Sequence, residues 1–557
     1  MAVDMDPISM LVRSCAAFYR LVRCASLIDV ATGLATIWAF CTAIWATQKN
    51  SRTTKLRGPK RTNLLFGVST ELFGSPDSGA IFEAWAKEYG VAYEIPMMCG
   101  KQRIVLCDPK ALAYLFSRDT WSYAGIPGVK ASIARRVGKG LIWAEGESHR
   151  RQRRSIAPSF NSTAIRKLSP AIHKVVDRLK AALEESIDAN GGESVVLDVE
   201  KWVNYVSLDS FGIAGFSYDF DSLAGKPNSM ISVLDDFAAP SPHPLLDNAV
   251  FLLSIVFPIA MYVPTWRNKM LDKLRGRMSE ICDKLVDNAI KEKEGASNEQ
   301  TSTIGLLLNA EDEDSGKRIV REEVLAQTAP PQISTLIFAS YETTAIAMTW
   351  ALLELARYPD IQNKLRKELL SFGGEPSYDE LTTGLPYLDA IVQETLRLHP
   401  AVQDLVREAN EDDVIPLSEP VRTKSGEVVD SIAIERGTEI GISISCMNRS
   451  EAIWGPDAKV FRPERWLEAD GITKKAQEVK GYRHLLTFGD GPRSCIGKMF
   501  AVAEIKTMLT MVVKNFVLEM KDGPDTKFEI IRGIALRPKI AGEDGIKMPL
   551  RVRPYKG

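Results

Sequence analysis

One cysteine in this chain stands where a cysteine can do chemistry. Residues 488–497 read Phe-Gly-Asp-Gly-Pro-Arg-Ser-Cys-Ile-Gly. Gly489 and Gly491 permit a tight loop with backbone angles that other residues resist. A helical pattern follows from Ile496 through Val513, so Cys495 is expected at a helix N-terminus. Free amides and the helix dipole there favour a thiolate, the form an iron ligand must take. Gly497 would let a flat cofactor approach the backbone, and Arg493 could neutralise an acidic group on it. The bland alternative for a lone cysteine is a small buried hydrophobe.

Three further constellations carry chemical potential. Residues 339–344 read Ala-Ser-Tyr-Glu-Thr-Thr in the middle of a helical stretch. Adjacent β-branched threonines lower helix propensity, so Glu342 and Thr343 point to a specific use. The competing reading is a threonine bonded back to its own helix turn. Glu394 and Arg397 share one helix face at i,i+3 and can pair. Alone, such a pair is more often a weak surface bridge. Residues 149–154 read His-Arg-Arg-Gln-Arg-Arg at the start of another helix, with His149 and Arg153 one turn apart.

Together these motifs resemble the cytochrome P-450 family. The cysteine loop meets every position of its haem-binding signature: Phe488-Gly489, three residues, Arg493, one residue, Cys495, one residue, Gly497. The resemblance implies heme b with Cys495 as the axial ligand of the iron. Such a thiolate pushes electron density onto the metal and favours O–O cleavage. Residues 339–344 resemble the oxygen-activation motif, with Ser340 where the family usually has glycine. By that match Thr343 hydrogen-bonds iron-bound oxygen and Glu342 feeds protons. Glu394 and Arg397 match the Glu-x-x-Arg motif, and Arg465 in Phe461-Arg462-Pro463-Glu464-Arg465-Trp466 matches its partner. The implied role of these three is structural. His149, where the family commonly has tryptophan, together with Arg153 and Arg407, matches the haem-propionate contacts. Arg150, Arg151 and Arg154 remain as either a solvated face or a docking patch for an acidic electron donor. The resemblance covers residues 58–557 and is closest to fungal microsomal members.

The elements that must position these residues are mostly helices. Helical patterns dominate from about 145 to 395, with short strands expected near 91–95 and 103–107 and again after 400. The fold class is mainly α with a minor β portion, a cytochrome P-450 fold preceded by one N-terminal transmembrane helix. Residues 30–48 carry no charge, which at about 1.5 Å per residue is just enough to span a bilayer core. A buried hydrophobic helix is the alternative. Six basic residues follow this stretch, at 49, 52, 55, 57, 60 and 61, against three before it, at 13, 20 and 23. That excess puts the bulk of the chain on the cytosolic side. The expected organisation is a tail over 1–29, an anchor over 30–48, a basic linker over 49–61 and one haem-binding monooxygenase domain over 62–557. The uncharged stretch 249–266, broken by Pro258 and Pro264, reads as a membrane-dipping or buried segment.

Composition narrows the rest. The formal net charge of −1 gives no footing for nucleic acid. The eight cysteines are scattered without a C-x-x-C pair, which disfavours zinc and fits a reducing compartment. No dinucleotide-binding G-x-G-x-x-G occurs, and the resemblance implies that electrons come from a separate NADPH–cytochrome P-450 reductase, with cytochrome b5 as an optional second donor. The expectation is a single-pass protein of the endoplasmic reticulum membrane, in contact with membrane lipid. It inserts one oxygen atom of O2 into a lipophilic substrate: a terpenoid, steroid, fatty acid or polycyclic aromatic. Secondary metabolism or xenobiotic oxidation is the expected setting. Residues 125–140, 336–339 and 401–406 are the expected substrate lining.

One feature of the oxygen helix is odd. Pro330 and Pro331 fall inside residues 328–332, between two helical runs. Each interior proline costs about 3 kcal/mol. Either a true helix break starts a new helix at Pro331, or the five residues reflect an alternative splice acceptor. The rival functions are a P-450-like isomerase or dehydratase, and a non-enzymatic haem protein disabled by this segment.

Overall fold

The computed structural model describes residues 52–224, 258–294, 319–532 and 536–556 without 544 and 546, plus scattered positions between 241 and 254. The expected anchor over 30–48, the tail before it and residues 251–253 and 255–257 of the uncharged stretch lie outside the described residues.

Helices form the bulk of the molecule. In chain order those that matter here are α1 (Ser78–Tyr89), α2 (Pro127–Val137), α3 (Gly146–Ile156), α4 (Ser162–Ala189) and α5 (Val199–Phe216). They continue with α6 (Trp266–Glu294), α7 (Ile319–Arg357), α8 (Pro359–Phe372), α9 (Pro386–Leu398) and α10 (Lys498–Asn515). Local chemistry sets their starts. Asn161 caps α4 by accepting from the Ala164 amide, and Pro359 and Pro386 open α8 and α9 where no amide partner is needed. The C-terminal half of α7 is the centre of the core. Its run from Thr344 to Ala356 is buried throughout, with Trp350 among the largest fully buried side chains. Helices α5, α6, α8, α9 and α10 all pack against α7.

The strands form small satellites. One sheet has the order β1 (Ala92–Pro96), β2 (Gln102–Leu106), β8 (Glu439–Ser443), β5 (Asp404–Ala409), β3 (Tyr123–Ala124). Strands β2 and β8 are parallel and the other pairs antiparallel. Strands β6 (Asp413–Arg422) and β7 (Val428–Ile434) make a hairpin. A three-stranded sheet joins β4 (Val195–Asp198), β12 (Pro549–Pro554) and β9 (Phe516–Met520). Strands β10 (Phe528–Arg532) and β11 (Leu536–Ile540) pair alone, and β11 delivers Arg537 to α7. The expected strands at 91–95 and 103–107 are β1 and β2, each displaced by one residue.

Two expectations need correction. Helix α7 runs unbroken from Ile319 to Arg357, so Pro330 and Pro331 lie inside it and no new helix starts at Pro331. Neighbouring contacts hold the proline turn. A Cβ at Gly138 would stand 3.1 Å from Pro331 Cβ, and one at Gly140 only 2.7 Å from the Pro331 carbonyl oxygen. Gln332 accepts from the Leu141 amide at 3.1 Å and donates to Gln152 Oε1 at 2.8 Å. The second correction concerns α10. It begins at Lys498 with Gly497 at its N-cap, so Cys495 precedes the helix instead of opening it.

Candidate active site

The cysteine loop is built by its glycines. Gly489 and Gly491 take φ of +65° and +64°, and a Cβ at Gly491 would stand 2.2 Å from the Phe116 carbonyl oxygen. The Cys495 amide donates to the Phe488 carbonyl at 2.7 Å, closing the loop. Cys495 is exposed, yet burial raises its thiol pKa, so the surface it meets is internal. The Gly497 and Lys498 amides and the charges of Arg153 and Lys498 pull the other way without prevailing. The helix end alone therefore does not make the thiolate. A metal cation opposite the sulfur would complete the balance, because coordination deprotonates a thiol outright.

Gly497 supports a non-protein neighbour. Its φ is an ordinary −85°. A Cβ there would come no closer than 3.9 Å to any protein atom. Protein packing does not demand glycine at this position, whereas a flat group lying on the backbone would.

Helix α7 forms the opposite wall. Residues 338–343 are each partly exposed, although buried positions lie on both sides of them along the helix. This surface too is internal. The segment between α2 and α3 ties the walls together: Leu141 bonds Gln332 of α7, while Arg493 of the cysteine loop donates to the Ile142 and Ala144 carbonyls.

On α7 the Thr343 hydroxyl donates to the Ala339 carbonyl at 2.7 Å. The Ser340 hydroxyl likewise donates to Ile337 at 3.1 Å, so the departure from glycine adds no free donor. Glu342 is not free either. Its Oε1 lies 2.6 Å from Arg537 Nη2, and Arg537 Nη1 lies 2.6 Å from Glu200 Oε1. Burial raises the Glu200 pKa to about 7 in spite of Arg537, and its Oε2 has no partner. Neither Arg537 nor Glu200 was legible in the sequence, since they stand on β11 and α5.

The basic residues expected at the haem edge do gather. Arg407, from β5, holds Asp119 through two bonds of 2.9 Å. Arg493 Nε lies 3.6 Å from the same carboxylate, and its Nη2 also pairs with Glu145. Arg153 donates to Ser494 Oγ at 3.3 Å. His149 is buried, and burial with repulsion from Arg493 and Arg153 lowers its pKa to about 4, against the attraction of Asp119. His149 is thus a neutral donor near pH 7. Three guanidinium groups and an imidazole gathered around Asp119 and the cysteine loop suit a cofactor that carries carboxylates. Asp119, fully buried, is the member the sequence did not reveal.

Behind the loop, Glu394 and Arg397 are both wholly buried and pair through two bonds, of 2.7 and 2.9 Å. Arg465 Nε stands 3.5 Å from Glu394 and its Nη1 3.0 Å from Asp457. Glu394 also accepts from the Arg462 amide and the Trp466 ring, each at 3.0 Å. The expected triad is therefore one part of a larger network. Arg150, Arg151 and Arg154 are exposed on the outer face of α3.

Comparison with known proteins agrees with this geometry. The cytochrome P450 family model matches residues 58–541. Cytochrome P450 monooxygenase claP of Ampulloclitocybe clavipes is 46% identical over 532 residues, which cover 94% of this chain and 98% of the relative. Its companion claQ is 47% identical over 531 residues with the same coverage. Cytochrome P450 monooxygenase 205 of Postia placenta is 33% identical over 522 residues, covering 89% of this chain and 92% of the relative. A cysteine loop meeting every position of the haem-binding signature, an acid–alcohol pair on a long central helix, and matches along nearly the whole length have one common explanation: the chain belongs to the cytochrome P450 family and is a haem-thiolate monooxygenase.

Proposed function

We propose that the protein inserts one oxygen atom of O2 into a lipophilic organic substrate, in secondary metabolism or xenobiotic oxidation. Bound heme b supplies the oxygen activation, with the second oxygen atom leaving as water at the expense of two electrons. Cys495 would hold the haem iron through its thiolate. Phe488 and Gly497 flank it, and Gly497 leaves room for the macrocycle. His149, Arg153, Arg407 and Arg493 hold the propionates, His149 as a neutral donor. Glu394, Arg397 and Arg465 brace the loop from behind. Glu342 delivers protons and Thr343 orients them at its Oγ1. For Glu342 to act, its carboxylate must part from Arg537, and Glu200 on the other side of that guanidinium is placed to take it over.

The electrons come from a separate NADPH–cytochrome P-450 reductase docking on Arg150, Arg151 and Arg154. The protein is held in the endoplasmic reticulum membrane by residues 30–48, with residues 62–557 in the cytosol. The charge excess after that stretch supports this orientation.

The observation that carries the reading is the exposed thiol of Cys495 in its glycine-built loop, beside Arg153, which bonds the neighbouring Ser494, and the buried His149. Reduced wild-type protein should show the carbon-monoxide absorption band of a thiolate haem, and Cys495→Ala should abolish it. An unchanged band in the variant ends the assignment. Turnover should need both NADPH and reductase. Conversion driven by peroxide substrates alone would instead identify an isomerase or dehydratase.

A further inference from the structure

Helix α2 carries two consecutive arginines with different fates. Side chains on neighbouring helix positions point about 100° apart. Arg135 turns toward α6, bonds both carboxylate oxygens of Asp272 at 3.0 and 3.1 Å, and lies over the Tyr262 ring. Arg136 has no such partner. It makes no hydrogen bond or ion pair among the described residues, and its Nε is buried without a partner. Burial lowers its pKa, as does the charge of Arg267 at the start of α6, while Glu342 opposes them. Arg136 as a whole is only partly buried by surface area, and it lies near enough to Glu342 for that carboxylate to act on its charge. The one carboxylate within its influence is already held by Arg537 at 2.6 Å. Arg136 and Arg537 thus both act on Glu342, with Arg267 beside the first and a Glu200 that is half-protonated near neutrality beside the second. Positive charge is in excess on an otherwise largely apolar wall.

An unpaired guanidinium inside a protein is unfavourable unless something completes it. We propose that Arg136 is the substrate anchor, and that the preferred substrates are lipophilic carboxylic acids whose carboxylate binds Arg136 while the apolar body extends toward residues 338–343. This rests on the monooxygenase reading and names its substrate class. It also refines the expectation of a lipophilic substrate by adding a carboxylate. The planar fork of arginine suits a carboxylate through two parallel bonds.

The test measures equilibrium binding to the full-length ferric holoprotein through the shift of its haem absorption. Matched pairs of acid and primary alcohol on three skeletons serve as probes: dodecanoic acid with dodecanol, farnesoic acid with farnesol, and biphenylcarboxylic acid with biphenylmethanol. In wild type, at least one acid should bind about 10- to 100-fold more tightly than its alcohol, the range for hydrogen bonds to charged groups. Arg136→Gln should remove that preference and leave alcohol binding unchanged, while Arg136→Lys should keep part of it. With no ligand, Arg136→Met should unfold at the same temperature as wild type or higher, because no pairing is lost. The proposal is overturned if no acid outbinds its alcohol in any pair, if Arg136→Gln weakens acid and alcohol alike, or if Arg136→Met lowers the midpoint by several degrees. A wild-type protein without the carbon-monoxide band would instead count against the monooxygenase reading itself.

Discussion

Glu200→Gln separates burial from pairing at the acid side of the site. Glu200 is almost fully buried, and burial raises its pKa to about 7 from an ordinary 4.5 even though Arg537 and its hydrogen bond pull downward. Between those two values the folded protein keeps a proton that the unfolded chain has released. Stability therefore falls as pH rises from 4.5 to 7 and stays at the lower level above. A shift of this size is worth about 3 kcal/mol. Unfolding entropy for a chain of this length is about 1 kcal/mol per kelvin, so the effect on the thermal midpoint is about 3 °C. Glutamine mimics the protonated acid and cannot ionise. The variant should gain on wild type by about 2 to 3 °C between pH 5 and pH 8, with most of the gain below pH 7. Thermal unfolding of both holoproteins at one heating rate across that range is the assay. Asp209, raised by burial, and His149, lowered to about 4, titrate in both proteins and cancel in the difference, while Asp198, whose charge helps to raise Glu200, contributes to it. A difference that stays constant with pH, or a variant less stable at pH 8, would show that the 2.6 Å pair with Arg537 outweighs burial and refute the reasoning.

Three other outcomes follow from the same geometry. Arg397→Met strands the wholly buried Glu394 with Arg465 no nearer than 3.5 Å. A loss of about 3 to 5 kcal/mol is expected, read as a fall of several degrees in midpoint and lower haem content; a fall under one degree would contradict it. Thr343→Ala should keep haem and substrate binding while product per NADPH drops and hydrogen peroxide rises, and equal coupling in the two proteins would remove Thr343 from proton delivery. Deleting residues 1–48 should free much of the protein from membranes with its haem retained, and a truncated protein that pellets as strongly as the full chain would mean that the attachment lies elsewhere.

What could be read from the sequence was what is local in the chain. The cysteine loop is specified within ten residues by its glycines, and the structure confirms the positive φ at Gly489 and Gly491. Glu394 and Arg397 pair because they are three residues apart on one helix. Helix-rich and strand-poor regions follow from periodicity, with boundaries off by a residue or two, as at β1, β2 and α10. The missed partners are remote in sequence. Arg537 meets Glu342 from 195 residues away, and Asp119 meets Arg407 from 288. No local pattern carries such pairs. The prolines of α7 failed for a related reason: a per-residue propensity was outweighed by Gly138, Gly140 and Gln332, which local sequence does not bring together.

Thr343 shows how the two kinds of information meet. The sequence left two readings, a hydroxyl serving oxygen or one bonded to its own helix, and the structure has the second bond at 2.7 Å. These readings are compatible in chemistry. A hydroxyl has one proton to donate but two lone pairs to accept with. Donation to Ala339 fixes the direction of the proton and turns the lone pairs of Oγ1 away from that carbonyl. On a stretch of helix that meets an internal surface, a fixed acceptor can hold a water or a protonated group in place. It cannot itself donate until the hydroxyl rotates. The proton must then originate elsewhere; on the function proposed above Glu342 relays it, which requires its carboxylate first to leave Arg537, the guanidinium it shares with Glu200, and take up a proton. In that proposal the alcohol positions, the acid delivers, and the guanidinium between two carboxylates determines when the acid is released.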